Sequence, residues 1–406
     1  MLRGVALTAV AVLCFGASGA SALYVRLNGN INTIDASDLI QALPEPEVTA
    51  TGPADPDDPN AGQPVNILLM GSDERDGENE AIGGHVDGMR SDTTIVAHIS
   101  ADRTRVELIS IPRDSLVRIP TCTMSDGSTT SPQRSAMFNS AFALGADRGG
   151  DIASAAACTV NTVMENTGVP IHHFVVVDFA GFTKMVDAVG GVPMCVPNDM
   201  VAPKAGLSLS AGQQTLDGTQ ALAFARARTG VGVGDGSDTN RLGRQQELLA
   251  GVVREVLGKN MLTDITQLIR FLDSATESLS IDSGFSSITD MAGLAYSLRS
   301  TPAGNISFMT IPFATAPSDP NRVVWTSEAD TIWANVASDQ PMLTGTSQDP
   351  DAAAGGGTTD PGTPDPGASA PAPGQTATEA PAAPAPTQTR EAGKEAFSAG
   401  DVTAVC

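Results

Sequence analysis

The sequence predicts an α/β protein built on a sheet covered on both faces, and three observations carry that reading. Val65-Asn-Ile-Leu-Leu-Met70 is apolar on both of its sides, as a strand in the middle of a covered sheet must be. Further strand-like runs follow at 93–100, 105–111, 173–179, 192–196 and 306–311. Between them stand segments of helical period, above all residues 240–257, where Leu248, Leu249, Val252, Val253 and Val256 share one face.

Bulk composition bounds the rest. The chain has 406 residues, 41% of them hydrophobic, enough to bury a sizeable core over part of its length. It carries 46 Asp plus Glu against 23 Lys plus Arg, a net charge of −23. Nucleic-acid binding needs a basic face, so that partner is not expected, and neither is electrostatic attraction to anionic lipid. Only 4% of residues are aromatic, which speaks against stacking platforms for bases or sugars.

Taken in order, residues 1–24 hold a nearly unbroken apolar run from Val5 to Tyr24 behind a single Arg3. About twenty such residues suit one membrane crossing, with the positive end inside and the body outside. Ala20-Ser-Ala22 before Leu23 also resembles a signal-peptidase site, so an uncleaved anchor is the first reading and a cleaved leader the second. Residues 25–63 read as a tether, rich in Pro, Asp and Gly from Glu45 onward. The compact unit is expected over 64–260, with a C-terminal extension packed on it over 261–340. Within the unit, a helix from Asp151 to Asn166 is stopped by Gly168 and Pro170. Phe182, Met185, Val186 and Val189 then recur at helical spacing, and a last helix is expected near Ala329–Val336. Residues 341–406 read as a Pro/Ala/Gly/Thr-rich disordered tail, with Phe397–Cys406 unexplained.

Candidate chemistry sits at the strand ends. Gly71-Ser-Asp73, Arg90-Ser-Asp92 and Pro112-Arg113-Asp114 each close or open a strand, so Asp73, Asp92 and Arg113 are expected on one rim. Ligands of open α/β sheets bind beyond strand ends. Asp73 and Asp92 are the candidate metal pair. Magnesium takes one or two protein carboxylates and completes its octahedron with water and substrate phosphate. The competing reading of both is ordinary turn capping at a strand end. A second concentration is Arg226-Ala-Arg228, a glycine-rich loop, then Asp238, Arg241, Arg244 and Gln245, four arginines within nineteen residues. Rigid guanidinium forks match phosphate oxygens two at a time, and alternating glycines let backbone N–H groups converge on an anion. Arg241, Arg244 and Gln245 also fall near the start of the 240–257 helix, where backbone donors are unpaired. A solvated helix face with routine ion pairs explains any one arginine, but not the cluster in so acidic a chain.

Several readings fail on their own terms. No G-K-[ST] exists, no G-x-S-x-G elbow, and none of the four histidines forms H-E-x-x-H. An EF-hand beginning at Asp235 fails because Asn240 holds the glycine position. The five cysteines show no zinc or C-x-x-C spacing. A disulfide is expected if the body lies outside the membrane, Cys122–Cys158 first, although no pairing is fixed by sequence.

The motifs in their order resemble the LytR–CpsA–Psr family. They are Gly71-Ser-Asp73, Arg90-Ser-Asp92, Ile111-Pro-Arg113-Asp114, Asn139-Ser-Ala-Phe142, Val177-Asp178-Phe-Ala-Gly-Phe182, Val189-Gly-Gly-Val192 and Arg226-Ala-Arg228…Asp238…Arg241…Arg244-Gln245-Gln246. The resemblance spans about residues 60–260. It implies an α-β-α sandwich around a mixed sheet on a single-pass membrane protein. It further implies a magnesium-dependent transferase that moves a glycopolymer from a polyprenyl pyrophosphate carrier to peptidoglycan. Carried over by motif, Asp73 and Asp92 hold Mg2+. Arg113, Arg226, Arg228, Arg241 and Arg244 grip the pyrophosphate, with Arg90, Asn139 and Gln245 beside it. Asp114 and Asp238 orient the arginines or polarise the acceptor hydroxyl. The sequence departs from the family at Met137, where many members carry lysine, and Arg134 is the expected substitute. Hydrolysis of a lipid pyrophosphate and a non-catalytic wall-binding or regulatory role are the competing functions.

Overall fold

The computed structural model describes residues 25–43, 58, 60–74, 77–83, 88–234, 236, 238–258, 265–285, 287–350 and 393–401. The expected anchor at 1–24 and the tail segment 351–392 lie outside the described residues. Among the described residues, no helix is long and apolar enough to cross a membrane.

After a helical turn at 25–30, β1 (Asn32–Ile34) opens the sheet. β2 (Val65–Ser72) and β3 (Ser91–Ile99), linked through α1 (Gly77–Gly83), pair antiparallel with Val65 opposite Ile99 and Gly71 opposite Thr93. β4 (Val106–Ile111) returns beside β3 with Thr94 opposite Ile111. β5 (Leu116–Ile119) and β6 (Gln133–Met137) form an antiparallel pair off its end. α2 (Ser140–Gly149) and α3 (Ile152–Thr167) follow. Asp151 caps α3 by accepting from Ser154 N, and Gly168 ends it in the left-handed conformation. β7 (His173–Val177) then enters parallel to β2 and leads into α4 (Phe179–Ala188), capped by Asp178.

A small lobe comes next. β8 (Val192–Val196) pairs with β11 (Gly212–Leu216), and β9 (Met200–Ala202) with β10 (Leu207–Leu209). α5 (Gly218–Arg226) closes it, started by a capping box of Asp217 and Gln220. The long α6 (Asp238–Gly258) returns to the sheet, and α7 (Ile265–Ser278), β12 (Leu279–Asp282), α8 (Ile288–Ser297) and β13 (Ile306–Thr310) complete its flanks. The hairpin β14 (Phe313–Ala316) and β15 (Asp319–Trp325) precedes α9 (Ser327–Ala337), and β16 (Phe397–Ser398) comes last.

The eight-stranded mixed sheet runs β1-β12-β7-β2-β3-β4-β13-β16. Alternation along its strands divides the core into two layers. Leu68, Met70, Val96, Ile109 and Ile111 face α2, α3 and α9, meeting Phe142, Val160 and Trp333. Val65, Ile67, Ile95, Ile99 and Leu108 face the other way, towards Ala250 of α6 and Leu294 of α8. Helices on both faces explain why β2 has no polar side, and the expected sandwich is what forms. Cys122 and Cys158 are joined, the pairing expected first, and tie the β5–β6 excursion to α3.

The tail departs from expectation. Residues 341–350 and 393–401 belong to the packed body, with Met342, Phe397 and Ala399 buried. β16 pairs antiparallel with β13, Phe397 stacks on Phe308 at 5.2 Å, and Arg254 Nη1 donates to the Ala399 carbonyl at 3.2 Å. Gly393 lies against the Thr239 carbonyl in the first turn of α6. Two apolar side chains at period two suffice here because an open strand edge supplies the remaining contacts.

Candidate active site

The strand pairing places the first two functional side chains. Extended by two residue pairs, the register that sets Thr94 opposite Ile111 brings residue 92 towards residue 113. Arg113 Nη1 accordingly donates to Asp92 Oδ1 at 2.8 Å. Asp73, just past β2, is pinned to the entry of β3. Its N–H donates to the Arg90 carbonyl at 2.9 Å, and Arg90 N–H donates back to Asp73 Oδ1 at 2.7 Å. The Arg90 side chain itself is exposed.

α6 supplies the opposite wall. Its phase on the sheet is set by the buried Gln246, whose Nε2 donates to Ser110 Oγ and Thr310 Oγ1, each at 3.0 Å. Asp238, Arg241 and Gln245, at i, i+3 and i+7, then point to the rim together. Arg241 is 2% exposed and donates to Asp92 twice, Nη1 to Oδ2 at 3.4 Å and Nη2 to the carbonyl at 3.1 Å. Its Nη2 also lies 2.6 Å from Asp238 Oδ1, which Arg113 Nε approaches at 3.6 Å. Two acids and two arginines thus interleave, each acid touching both cations. Asp114 flanks the ring, 3.7 Å from Arg113 Nε.

The remaining arginines divide. Arg226, in the last turn of α5, lays its guanidinium 4.3 Å from the Phe179 ring centroid. Arg228 makes no hydrogen bond or salt bridge with a described residue, yet its charge acts on Asp92, Asp238 and Arg241. Arg244, expected to grip phosphate, is instead spent inside the protein. Its three nitrogens donate to the carbonyls of Phe224, Val233 and Ala227, and burial pulls its pKa down to about 10. It locks α5 and the glycine-rich loop onto α6. Gln245 Nε2 likewise donates to the Ala225 carbonyl at 3.2 Å. Asn139 is buried, its backbone N–H on the Arg113 carbonyl at 3.2 Å, so it holds the Arg113 segment in place.

The glycines of the loop serve packing before ligand. Val231 and Val201 exchange both backbone hydrogen bonds, docking the loop on β9. A Cβ on Gly230 would strike the Val201 carbonyl and one on Gly232 the Asp199 carbonyl, at φ +154° and +69°. Asp235 and Ser237 lie outside the described residues. Arg134, the expected substitute for a lysine at Met137, is exposed on the other face of β6, about 10 Å along the strand.

Electrostatically the two ring acids differ. Burial works to raise the Asp92 pKa, but Arg241, Arg113 and Arg228 more than offset it, and Asp92 titrates below its ordinary value. For Asp238 burial prevails over Arg241 and Arg113, and its pKa is raised. Arg113 Nε, both Asp238 carboxylate oxygens, Arg241 Nε and Gln245 Oε1 are buried with no hydrogen bond aligned on them. Leaving such atoms unsatisfied costs about 1–3 kcal/mol each, offset for Asp238 Oδ1 by the ion pair with Arg241 Nη2 at 2.6 Å.

One residue had no signal in the sequence. Arg322, on β15, places Nη1 3.7 Å from Asp114 Oδ1. It lies in a short hairpin with no motif, about two hundred residues from its partner.

These motifs, at these positions, can now be set against known proteins. The LytR_cpsA_psr family matches residues 27–338. The chain belongs to that family. The "Cell wall biosynthesis protein LcpA" of Corynebacterium glutamicum is 29% identical over 266 residues, covering 61% of this chain and 50% of that protein. The "Polyisoprenyl-teichoic acid--peptidoglycan teichoic acid transferase TagU" of Enterococcus faecalis is 30% identical over 241 residues, covering 59% of this chain and 68% of that protein. The chain spans about half the length of the first of these curated relatives. A LytR-Csp2A-Psr enzyme from Actinomyces oris shares the fold, with a TM-score of 0.52 at 23% identity over 76% of this chain and 96% of that one.

Proposed function

We propose that this chain is a phosphotransferase that moves a glycopolymer from a polyprenyl pyrophosphate carrier onto peptidoglycan, forming a phosphodiester. The observation that carries the reading is the buried ring of Asp92, Arg113, Asp238 and Arg241, brought together by the start of β3, the end of β4 and the first turn of α6. Such a ring is built for an ionic oxygen ligand, and diphosphate chemistry needs charge neutralisation and alignment more than a covalent nucleophile. The relative TagU is named a polyisoprenyl-teichoic acid–peptidoglycan teichoic acid transferase, a reaction of the same class.

In the proposed reaction an acceptor hydroxyl oxygen bonds to the glycan-side phosphorus, and the bond from that phosphorus to the bridging oxygen breaks. Polyprenyl phosphate leaves with the bonding electron pair. Arg113, Arg228 and Arg241 hold the phosphoryl oxygens in line and take up the developing charge. Asp238, whose raised pKa makes it a better base than an ordinary aspartate, accepts the hydroxyl proton. Asp114 orients Arg113, and Arg244 keeps the loop carrying Arg228 in place. Asp73 and Asp92 suit magnesium. They would offer hard carboxylate oxygens from neighbouring strand ends, the one or two protein ligands that magnesium takes. When bound there, the ion supplies further neutralisation of phosphate charge. The segment 1–24 as an anchor, with the body outside the membrane, keeps the enzyme beside a lipid-linked donor.

The test uses the full chain in detergent with Mg2+, a labelled glycan on polyprenyl pyrophosphate, and peptidoglycan fragments. Label joined to peptidoglycan through an acid-labile phosphodiester is expected, and Arg228→Ala and Asp92→Ala should each lose it by at least about a hundredfold. Label released only as free glycan phosphate would make the chain a hydrolase. Undiminished transfer by both variants would remove the site.

A further inference from the structure

The charges at the rim do not stop at the ring. Arg322 stands where the β14–β15 hairpin crosses the end of β4, and the hairpin is firmly seated. Val323 N–H donates to the Asp114 carbonyl at 3.2 Å, and Ser115 and Val323 form a parallel bridge. Trp325 Nε1 donates to Ser115 Oγ at 3.0 Å, and the Trp325 ring leans on Trp333 of α9 with centroids 5.8 Å apart. The backbone at residue 322 is therefore fixed beside Asp114. Cation and anion alternate outward through Arg241, Asp238, Arg113, Asp114 and Arg322, from a side chain 3% exposed to one 30% exposed.

Two features set Arg322 apart from a routine surface ion pair. Its guanidinium is held loosely, 3.7 Å from Asp114 and 4.0 Å from Asp319, with one hydrogen bond to the adjacent Asn321 carbonyl at 3.0 Å. A fork so placed can turn to a ligand without breaking a buried contact. The second feature is reach. The row of arginines extends from Arg226, over Phe179 at the end of β7, to Arg322 beside Asp114, just past β4. Between β7 and β4 the sheet order is β7-β2-β3-β4, three spacings of about 4.8 Å, or about 14 Å. Two phosphoryl groups that share one oxygen cannot touch both ends of that row.

We infer that Arg322 is a specificity-determining residue that binds a second oxyanion, a phosphate or carboxylate carried by the glycopolymer next to the diphosphate. The identity of the polymer as ligand rests on the transfer reading; the oxyanion site itself does not. A chain with a net charge of −23 repels a polyanionic substrate at long range, and a cation at the outer rim is what lets an anionic repeat approach the ring.

Binding and turnover test it separately, on the full chain in detergent. By calorimetry, a glycerol phosphate trimer free of lipid and diphosphate should bind the wild type and bind Arg322→Gln about tenfold more weakly, with Arg322→Lys between them. In turnover, R322Q should raise KM about tenfold for a donor whose glycan carries phosphate, and much less for a donor with a neutral glycan, with the effect in KM rather than kcat. If R322Q binds the trimer like the wild type, or loses both donors equally, Arg322 is only a prop for Asp114 and the inference is overturned. A peptidoglycan fragment whose KM alone responds to R322Q would assign the oxyanion to the acceptor and overturn the polymer assignment. Trimer binding through Arg322 without turnover of any donor would sink the transfer reading and leave the oxyanion site standing.

Discussion

Replacing Arg241 by methionine removes the most buried cation of the ring while keeping a long side chain in the core. Arg241 is 2% exposed, and it is the one guanidinium within 3.4 Å of both Asp92 and Asp238. Without it, Asp238 keeps Arg113 Nε at 3.6 Å and the more distant charge of Arg228, in a position already costly enough to raise its pKa. Removing one partner of a buried ion pair costs about 3–5 kcal/mol, because a charge is left uncompensated. In a body of this length each kcal/mol lowers Tm by roughly 2 °C, so Arg241→Met should melt about 6–10 °C below the wild type at neutral pH. Adding Asp238→Asn to it should recover about 1–3 kcal/mol, the signature of two residues that are coupled. Acid should recover part of the loss as well, since protonating Asp238 removes the stranded charge. The measurement is thermal unfolding by circular dichroism for the wild type, both single variants and the double. Strict additivity, or an Arg241→Met melt within about 1 °C of the wild type, would show that the ring is not an energetic unit.

The two ring acids should pull the pH dependence of stability in opposite directions. Asp92 titrates below its ordinary 3.8, so it contributes stability that is present above that value and lost as pH falls through the folded value. Asp238 titrates above 3.8, so its contribution is complete below 3.8 and lost as pH rises through the folded value. Urea midpoints from acid to neutral pH should therefore show a flatter acid limb in Asp92→Asn and a loss removed at neutral pH in Asp238→Asn; parallel curves for all three proteins would contradict this. For the loop, Gly232→Ala should undock residues 230–234 from β9, because its Cβ meets the Asp199 carbonyl at a φ of +69°. Transfer should fall at least about tenfold through misplacement of Arg228 with the circular dichroism spectrum unchanged, and wild-type turnover by this variant would show that the loop does not position Arg228.

What was legible in the sequence followed local periodicity. The strands over 65–70, 93–100 and 105–111 and the helix over 240–257 announce themselves through alternation or a shared face, and the structure moves their ends by two residues at most. The contact between Asp92 and Arg113 was also within reach, since a tight turn between two strands fixes their register. Arg244 misled because residue type and spacing cannot reveal that three nearby carbonyls face its guanidinium. In the small lobe the strand over 192–196 was legible, but β9, β10 and the β14–β15 hairpin are too short to show a period. Arg322 was invisible for the same reason. Its importance comes from Asp114, which only the folded chain brings near.

The pairing of β16 with β13 bears on how the molecule is assembled. Every other described element is synthesised before that strand, so for some time β13 is an outer strand with a bare row of N–H and carbonyl groups. A row of that kind is a template for any extended peptide, including another copy of the same chain. Once made, β16 closes that edge at Ser307 and Phe308 and lays Phe397 on Phe308, where a second strand would otherwise pair.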